Sequence, residues 1–171
     1  MTPSEASKIV RAVLCRNLAF EHTEQILKAM VPVKADAGTL VYEEGERPQG
    51  LMVLLDGTVE VFKKGSAEAL ATISAPTVLG EISLLTEGPH TASVRAKTAC
   101  EFNLLTTTQF HRLVQDDSLA AYKVLAILAE VLARRLLRMD DKFVEISRRA
   151  ASAHLDELRA FRDKLFTEWS V

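Results

Sequence analysis

Glycine and proline are absent from the last 82 residues of this 171-residue chain: all seven glycines lie between Gly38 and Gly88, and the last proline is Pro89. Turns are therefore concentrated in the middle of the sequence, and residues 90 onward lack the types that most readily break a helix. Cysteine is scarce. Cys15 and Cys100 sit inside apolar patterns without metal-ligand spacing, which argues for two reduced, buried thiols rather than a disulfide or a zinc site. An excess of one charge is also missing. The formal net charge of -2 offers no global attraction for nucleic acid or an anionic membrane. The halves differ mildly: residues 1–117 carry 11 Lys+Arg against 15 Asp+Glu, and residues 118–171 carry 10 against 8. No apolar run approaches the ~20 residues of a membrane span, and Met-Thr-Pro-Ser-Glu-Ala-Ser-Lys at the start lacks a basic region followed by an apolar one. A soluble cytoplasmic protein is expected. No Gly-Lys-Ser/Thr phosphate loop, His-Glu-x-x-His pair or paired Cys-x-x-Cys occurs. His22, His111 and His154 are isolated from one another. Neither a metal, nor a cofactor, nor an enzymatic activity is expected.

What remains is 48% hydrophobic residues, enough for one domain with a core and a helical appendage. Residues 4–31 read as helix, with Ile9, Val13 and Leu14 on one face, Thr23 as a candidate cap for a second helix, and Pro32 closing the segment. From Val33 the apolar period changes to two. Short runs at Thr39–Tyr42, Leu51–Leu55, Val59–Phe62 and Leu70–Ile73 alternate with Glu-Glu-Gly-Glu-Arg-Pro, Leu-Asp-Gly and Lys-Lys-Gly-Ser-Ala, each of turn composition. Strands recurring about every ten residues without an intervening helix indicate an antiparallel roll or sandwich over residues 33–106. The fold class is α+β: a β-roll of jelly-roll type, flanked by N-terminal helices and by helices over 109–153.

Beyond a strand at Thr98–Leu105, Thr107 or Thr108 caps a short helix, Gln109–Val114. Asp116-Asp117-Ser118 then supplies the start of a long helix near Leu119. That helix carries apolar residues at alternating spacings of three and four: Ala129, Leu132, Leu136, Met139, Phe143, Ile146, Ala150 and Ala153. This coiled-coil spacing predicts a homodimer seam, with Leu132, Leu136, Met139, Phe143 and Ile146 at its centre; packing on the chain's own roll is the alternative. Past Ala153 the stripe is re-phased through Leu155, Leu158, Phe161, Leu165 and Trp169. Residues 1–153 are thus expected to form the main domain, and 154–171 an amphipathic helical extension that docks internally or on a protein partner.

Leu79 to Ala96, reading Leu-Gly-Glu-Ile-Ser-Leu-Leu-Thr-Glu-Gly-Pro-His-Thr-Ala-Ser-Val-Arg-Ala, is the stretch with chemistry in it. Gly80-Glu81 opens a short turn of helix whose first amides have no intrahelical partner and are available to an anion. The turn stops at Gly88-Pro89. His90-Thr91-Ala92 then enters a strand in which Ala92, Val94 and Ala96 alternate with Ser93, Arg95 and Lys97.

Helices, a glycine-punctuated roll, Gly80-Glu81 with Leu84, Pro89-His90-Thr91-Ala92, Glu44-Gly45, Leu55-Asp56-Gly57-Thr58-Val59 and a long closing helix together resemble the cyclic nucleotide-binding domain. The run Val94 to Glu101 is similar to that of the catabolite-activator-like bacterial proteins. The resemblance covers roughly residues 10–147. It implies a cyclic nucleotide ligand, cAMP or cGMP. Amides of Gly80, Glu81, Ile82, Ser83 and Leu84 would hold the phosphate, Glu81 the ribose 2′-hydroxyl, and Thr91 and Ala92 would complete the site.

Two departures stand out. The family's phosphate-pairing arginine is replaced by His90. An arginine offers two parallel charge-assisted bonds, and losing them weakens binding by ~10- to 100-fold. A histidine offers one donor, charged only below a pKa near ~6.5 unless the phosphate raises it. On the long helix, the Thr-Ser pair that reads adenine falls on Met139-Asp140; Asp140 can accept from a purine amino group, and Arg135 is a candidate to replace the missing charge. Two readings follow: a sensor with an altered phosphate site, or a degenerate pocket kept as a scaffold for protein contacts, with His90 a half-exposed turn residue. The activator-like proteins continue into a DNA-reading helix-turn-helix. The two dozen residues here after the long helix are too few for one, and Asp140, Asp141 and Glu145 interrupt the basic run Arg134, Arg135, Arg138, Arg148, Arg149, so no direct DNA binding is expected.

Overall fold

The computed structural model describes residues 2–16, 18–66, 68–116, 118–150, 159 and 161–164, with backbone alone at 148–150. It divides into two compact units, Met1–Leu128 and Ala129–Val171.

The first unit begins with α1 (Pro3–Leu14). Thr2 and Glu5 form a reciprocal capping box: the Glu5 N–H donates to Thr2 Oγ1 at 3.3 Å, and the Thr2 N–H to Glu5 Oε2 at 2.8 Å. Two orphan donors of the first turn are satisfied in this way. Val10 and Leu14 form its buried face. In α2 (Phe20–Ala29) the cap is Ala19, not Thr23. Thr23 lies inside the helix and its hydroxyl donates back to the Ala19 carbonyl at 3.1 Å, the i−4 bond open to a threonine within a helix. The expected helical span to residue 31 is also cut short, because Met30 begins β1 (Met30–Ala35). Pro32 therefore lies in a strand. β1 is an edge strand, and Pro32 faces Asn103 there, a position where the missing N–H is tolerated.

Seven further strands follow: β2 (Leu40–Tyr42), β3 (Gly50–Asp56), β4 (Thr58–Phe62), β5 (Ala71–Ser74), β6 (Thr77–Leu79), β7 (Ser93–Ala96) and β8 (Cys100–Thr106). They form two four-stranded antiparallel sheets of order β1-β8-β3-β6 and β2-β7-β4-β5, the double-sheet arrangement of a jelly roll. Period two decides the faces. Val59, Val94 and Ala96 join Tyr42, Leu54, Phe102 and Leu104 in the core between the sheets, with Val61 packed against them. On the other face of β4, Glu60 meets Arg95 at 3.0 Å and Lys97 at 3.2 Å. β3 is buried on both faces up to Asp56, since α1, α3 (Glu81–Thr86) and α4 (Thr107–Gln115) lie against it.

Thr106, rather than Thr107 or Thr108, caps α4. Its hydroxyl accepts from the Gln109 N–H at 3.2 Å while Gln109 Oε1 takes the Thr106 N–H at 3.0 Å. The neighbouring threonines lack a glutamine three residues on, which the box requires. The long helix α5 (Leu119–Ala150) starts where the sequence places it. Ser118, just before it, donates to Gln25 Oε1 at 2.9 Å. Ala120, Ala121, Val124 and Leu128 are buried. Cys15 and Cys100 are buried and free; burial pushes the Cys15 thiol up to about 11, so it is protonated and inert at neutral pH.

In the second unit, Leu136, Met139 and Ile146 of the expected seam are exposed apolar side chains on α5. Phe143 is half-buried, its ring 6.4 Å from that of Phe161. Residues 161–164 are helical; Leu155, Leu158, Leu165 and Trp169 of the second stripe lie outside the described residues.

Candidate functional site

α3 is the short bridge from one sheet to the other: β6 of the first sheet leads into it, and residues 87–92 lead from it to β7 of the second. Gly80 makes the junction possible. Its φ is +81°, and a Cβ there would stand 2.7 Å from the Gly50 carbonyl oxygen, so both backbone conformation and space demand glycine. The chain leaves α3 through Glu87, also left-handed at φ 54°.

Behind that bridge lies a small buried polar cluster. Glu81, Ser83 and His90 are 3%, 2% and 4% exposed, and Leu84 is buried beside them. The His90 ring stacks on Tyr42 with centroids 3.8 Å apart and planes at 13°. Its Nδ1 is 3.2 Å from Ser83 Oγ, which is also 3.3 Å from the Pro89 carbonyl. If the hydroxyl proton goes to Pro89, the imidazole N–H points at Ser83. The main chain is pinned as well: the His90 N–H donates to the Glu46 carbonyl and the His90 carbonyl accepts from Gly45, each at 2.8 Å. His90 is thus a packed core side chain rather than a half-exposed turn residue. Burial pulls its pKa below the ordinary histidine value of 6.5, with the Glu46 carboxylate opposing in part; desolvation disfavours the charged ring. At neutral pH it is an uncharged imidazole.

The expected phosphate-side residues are brought together, but not equivalently. Ile82 and Thr91 are exposed, and Gly80 and Ala92 are half-buried. The main-chain N–H of Thr91 has no acceptor among the described residues. The amides of Glu81, Ile82 and Ser83 come before the first intrahelical bond of α3, but the Leu84 N–H, expected at the phosphate, donates to the Gly80 carbonyl at 3.0 Å and is not available. Ser93 reverses the polar-outward alternation: it is buried and its hydroxyl accepts from the Glu44 N–H at 2.9 Å. Arg135, Met139 and Asp140 belong to the second unit; Arg135 is half-buried, and Met139 and Asp140 are exposed.

Sequence reasoning missed the partners of the site. Tyr42 is 48 residues from His90 and carries no motif; its only signal is an aromatic closing a period-two run. Also missed is a strap over the start of β7. Lys63 Nζ donates to the Thr91 carbonyl at 2.5 Å and to Glu44 Oε1 at 2.9 Å, while the Lys64 N–H donates to Glu44 Oε2 at 2.7 Å. These bonds, the Lys64 N–H first and Lys63 next, hold Glu44 below the usual carboxylate range. Among the described residues no group of three metal-ligating side chains occurs, and no described helix is long and apolar enough to cross a membrane.

A double-sheeted roll, a helical turn opening on Gly-Glu and a small-residue strand start facing it can be compared with known proteins. The profile of the cyclic nucleotide-binding domain matches residues 32–117. The cyclic AMP receptor protein of Thermus thermophilus is 31% identical over 133 residues, which are 75% of this chain and 62% of that protein. The cGMP-dependent protein kinase isozyme 2 of Drosophila melanogaster is 36% identical over 85 residues, half of this chain but 8% of the kinase. This chain therefore spans a small part of its kinase relatives and under two thirds of the receptor. Among solved structures, a cyclic nucleotide-binding domain from Methylobacillus flagellatus has the same fold, with a TM-score of 0.74 at 23% identity over 85% of this chain and 84% of that one. The Thermus thermophilus catabolite activator protein gives 0.63 at 29% identity, over 86% and 71%. The strand order, the bridge at Gly80-Glu81 and the profile match over half the chain agree: this protein belongs to the cyclic nucleotide-binding domain family.

Proposed function

We propose that this chain is a regulatory sensor that binds a cyclic nucleotide of the cAMP or cGMP type through an altered phosphate site, without catalysis. The observation that carries the reading is the set of first-turn amides of α3 together with the Thr91 N–H, which has no acceptor among the described residues, and the buried Glu81 that opens the helix. Those donors suit a phosphate, and a buried carboxylate suits a ribose hydroxyl. Relatives named as a cyclic AMP receptor and a cGMP-dependent kinase support both ligand types. The ligand's preference for one arrangement of the domain would shift a dimer formed through Leu132, Leu136, Met139, Phe143 and Ile146, or expose a surface to a protein partner, in cytoplasmic signalling. Titration calorimetry with cAMP and cGMP tests it: saturable heat is the expected result, and neither heat nor a thermal shift at millimolar ligand removes the reading.

A second reading has one specific observation in its favour. His90 is bonded to Ser83 through Nδ1 and stacked on Tyr42, held by the protein's own groups, as in a pocket retained as a scaffold for protein contacts. Tight nucleotide binding would overturn it.

A further inference from the structure

We propose that Lys63 provides the positive charge for the bound phosphate, taking over from the side chain at position 90; this rests on the sensor reading above. His90 is unsuited to the task, being buried, neutral and turned toward Ser83 and Tyr42. Lys63 is suited to it. It follows β4, and the period that turns Val59 and Val61 toward the core continues to residue 63. Its ammonium already touches the strand start, 2.5 Å from the Thr91 carbonyl. The N–H of the same residue has no acceptor among the described residues. Carbonyl oxygen and N–H of one residue lie within about 5 Å of each other by standard backbone dimensions. An anion on the Thr91 N–H therefore falls within the swing of a four-carbon lysine stem, and Lys63 is half-exposed and able to move.

Leaving its present place costs Lys63 little. Glu44 still has the Lys64 N–H, at 2.7 Å, when the ammonium departs, and Thr91 is an exposed residue. The strap is thus a parked cation: Glu44 and Thr91 hold Lys63 beside the site, and an anionic phosphate on the Thr91 N–H draws it across. The ligand class is an anionic nucleotide phosphate, and the residue sets affinity for the phosphate rather than for the base.

The test uses the full chain and cAMP and cGMP as probes, by calorimetry with melting temperature as the folding control. Lys63→Met is expected to weaken binding about tenfold, the worth of one charge-assisted contact, and to flatten its dependence on salt. Lys63→Arg is expected to stay within about threefold of the parent, since the charge is kept. Glu44→Gln separates charge supply from strand support. It loosens the strap but frees the ammonium, so affinity is expected to hold or rise; a loss matching that of Lys63→Met would make the strap a support for Thr91 and overturn the proposal. Equal affinity of Lys63→Met and the parent would overturn it while leaving the sensor reading intact. A parent chain that binds neither nucleotide would overturn both.

Discussion

His90 is a titratable ring in surroundings that favour its neutral form, and this has a direct consequence for stability. Its folded pKa is lowered, chiefly by burial, so between that value and the unfolded one near 6.5 the unfolded chain binds more protons. Stability then rises with pH in that window and is lost as the pH falls below the unfolded value. Thermal denaturation between pH 7.5 and 5.5 should show the parent losing melting temperature on acidification and His90→Gln losing less, from a lower start; parallel curves would mean that the ring is not the source. His90→Arg should behave differently. The guanidinium gives up the Tyr42 stack, which costs about 1 kcal/mol, and restores two parallel bonds to a phosphate, so cyclic nucleotide affinity should rise by about tenfold or more. Unchanged affinity in calorimetry would show that position 90 does not reach the ligand. This residue's environment was the least legible part of the sequence. His90 itself is conspicuous beside Pro89, yet Tyr42, Ser83 and the Lys63–Glu44 strap acquire meaning only when β2, β4 and β7 lie side by side.

Among the elements, α3 depends on a single glycine. Gly80→Ala places a Cβ 2.7 Å from a carbonyl oxygen in a left-handed conformation and should cost about 1–3 kcal/mol, read as a lower urea midpoint at unchanged slope; an unchanged midpoint would contradict the strained junction. The elements also show what local pattern carries. β3 and β4 were readable because their apolar runs are bounded by Gly-containing turns, and β8 because Phe102 and Leu104 alternate with Glu101 and Asn103. β6, at three residues, is too short to have a period. β1 was partly hidden because Met30 continues the apolar face of α2 in sequence while belonging to the strand in space. Caps failed where candidates crowd together: three threonines occupy 106–108, and only the Gln109 partner of Thr106 separates them. The start of α5 near Leu119 was readable, and neither glycine nor proline interrupts its described length. Its exposed Leu136, Met139 and Ile146 are the basis for expecting a dimer, so Leu136→Glu should convert a dimer to monomers in light scattering. Phe143 is the weaker reporter of that seam because Phe161 of the same chain already meets its ring; persistence of a dimer in Leu136→Glu would refute the seam.

For the molecule as a whole, the division at Leu128 separates a roll that holds the candidate site from a second unit that holds the apolar helix face. The roll carries the acidic balance and most of the core; the C-terminal part carries the basic one. A signal passing between the units requires that a ligand on the first have different affinity for two arrangements of the chain, and that requires a ligand. The most direct measurement is therefore calorimetric titration of the full chain with cAMP and with cGMP at pH 7.5, repeated with Lys63→Met. The account predicts one saturable site per chain for at least one of the two nucleotides, weakened about tenfold by the substitution. Absence of heat and of any thermal shift with both nucleotides at millimolar concentration would contradict it.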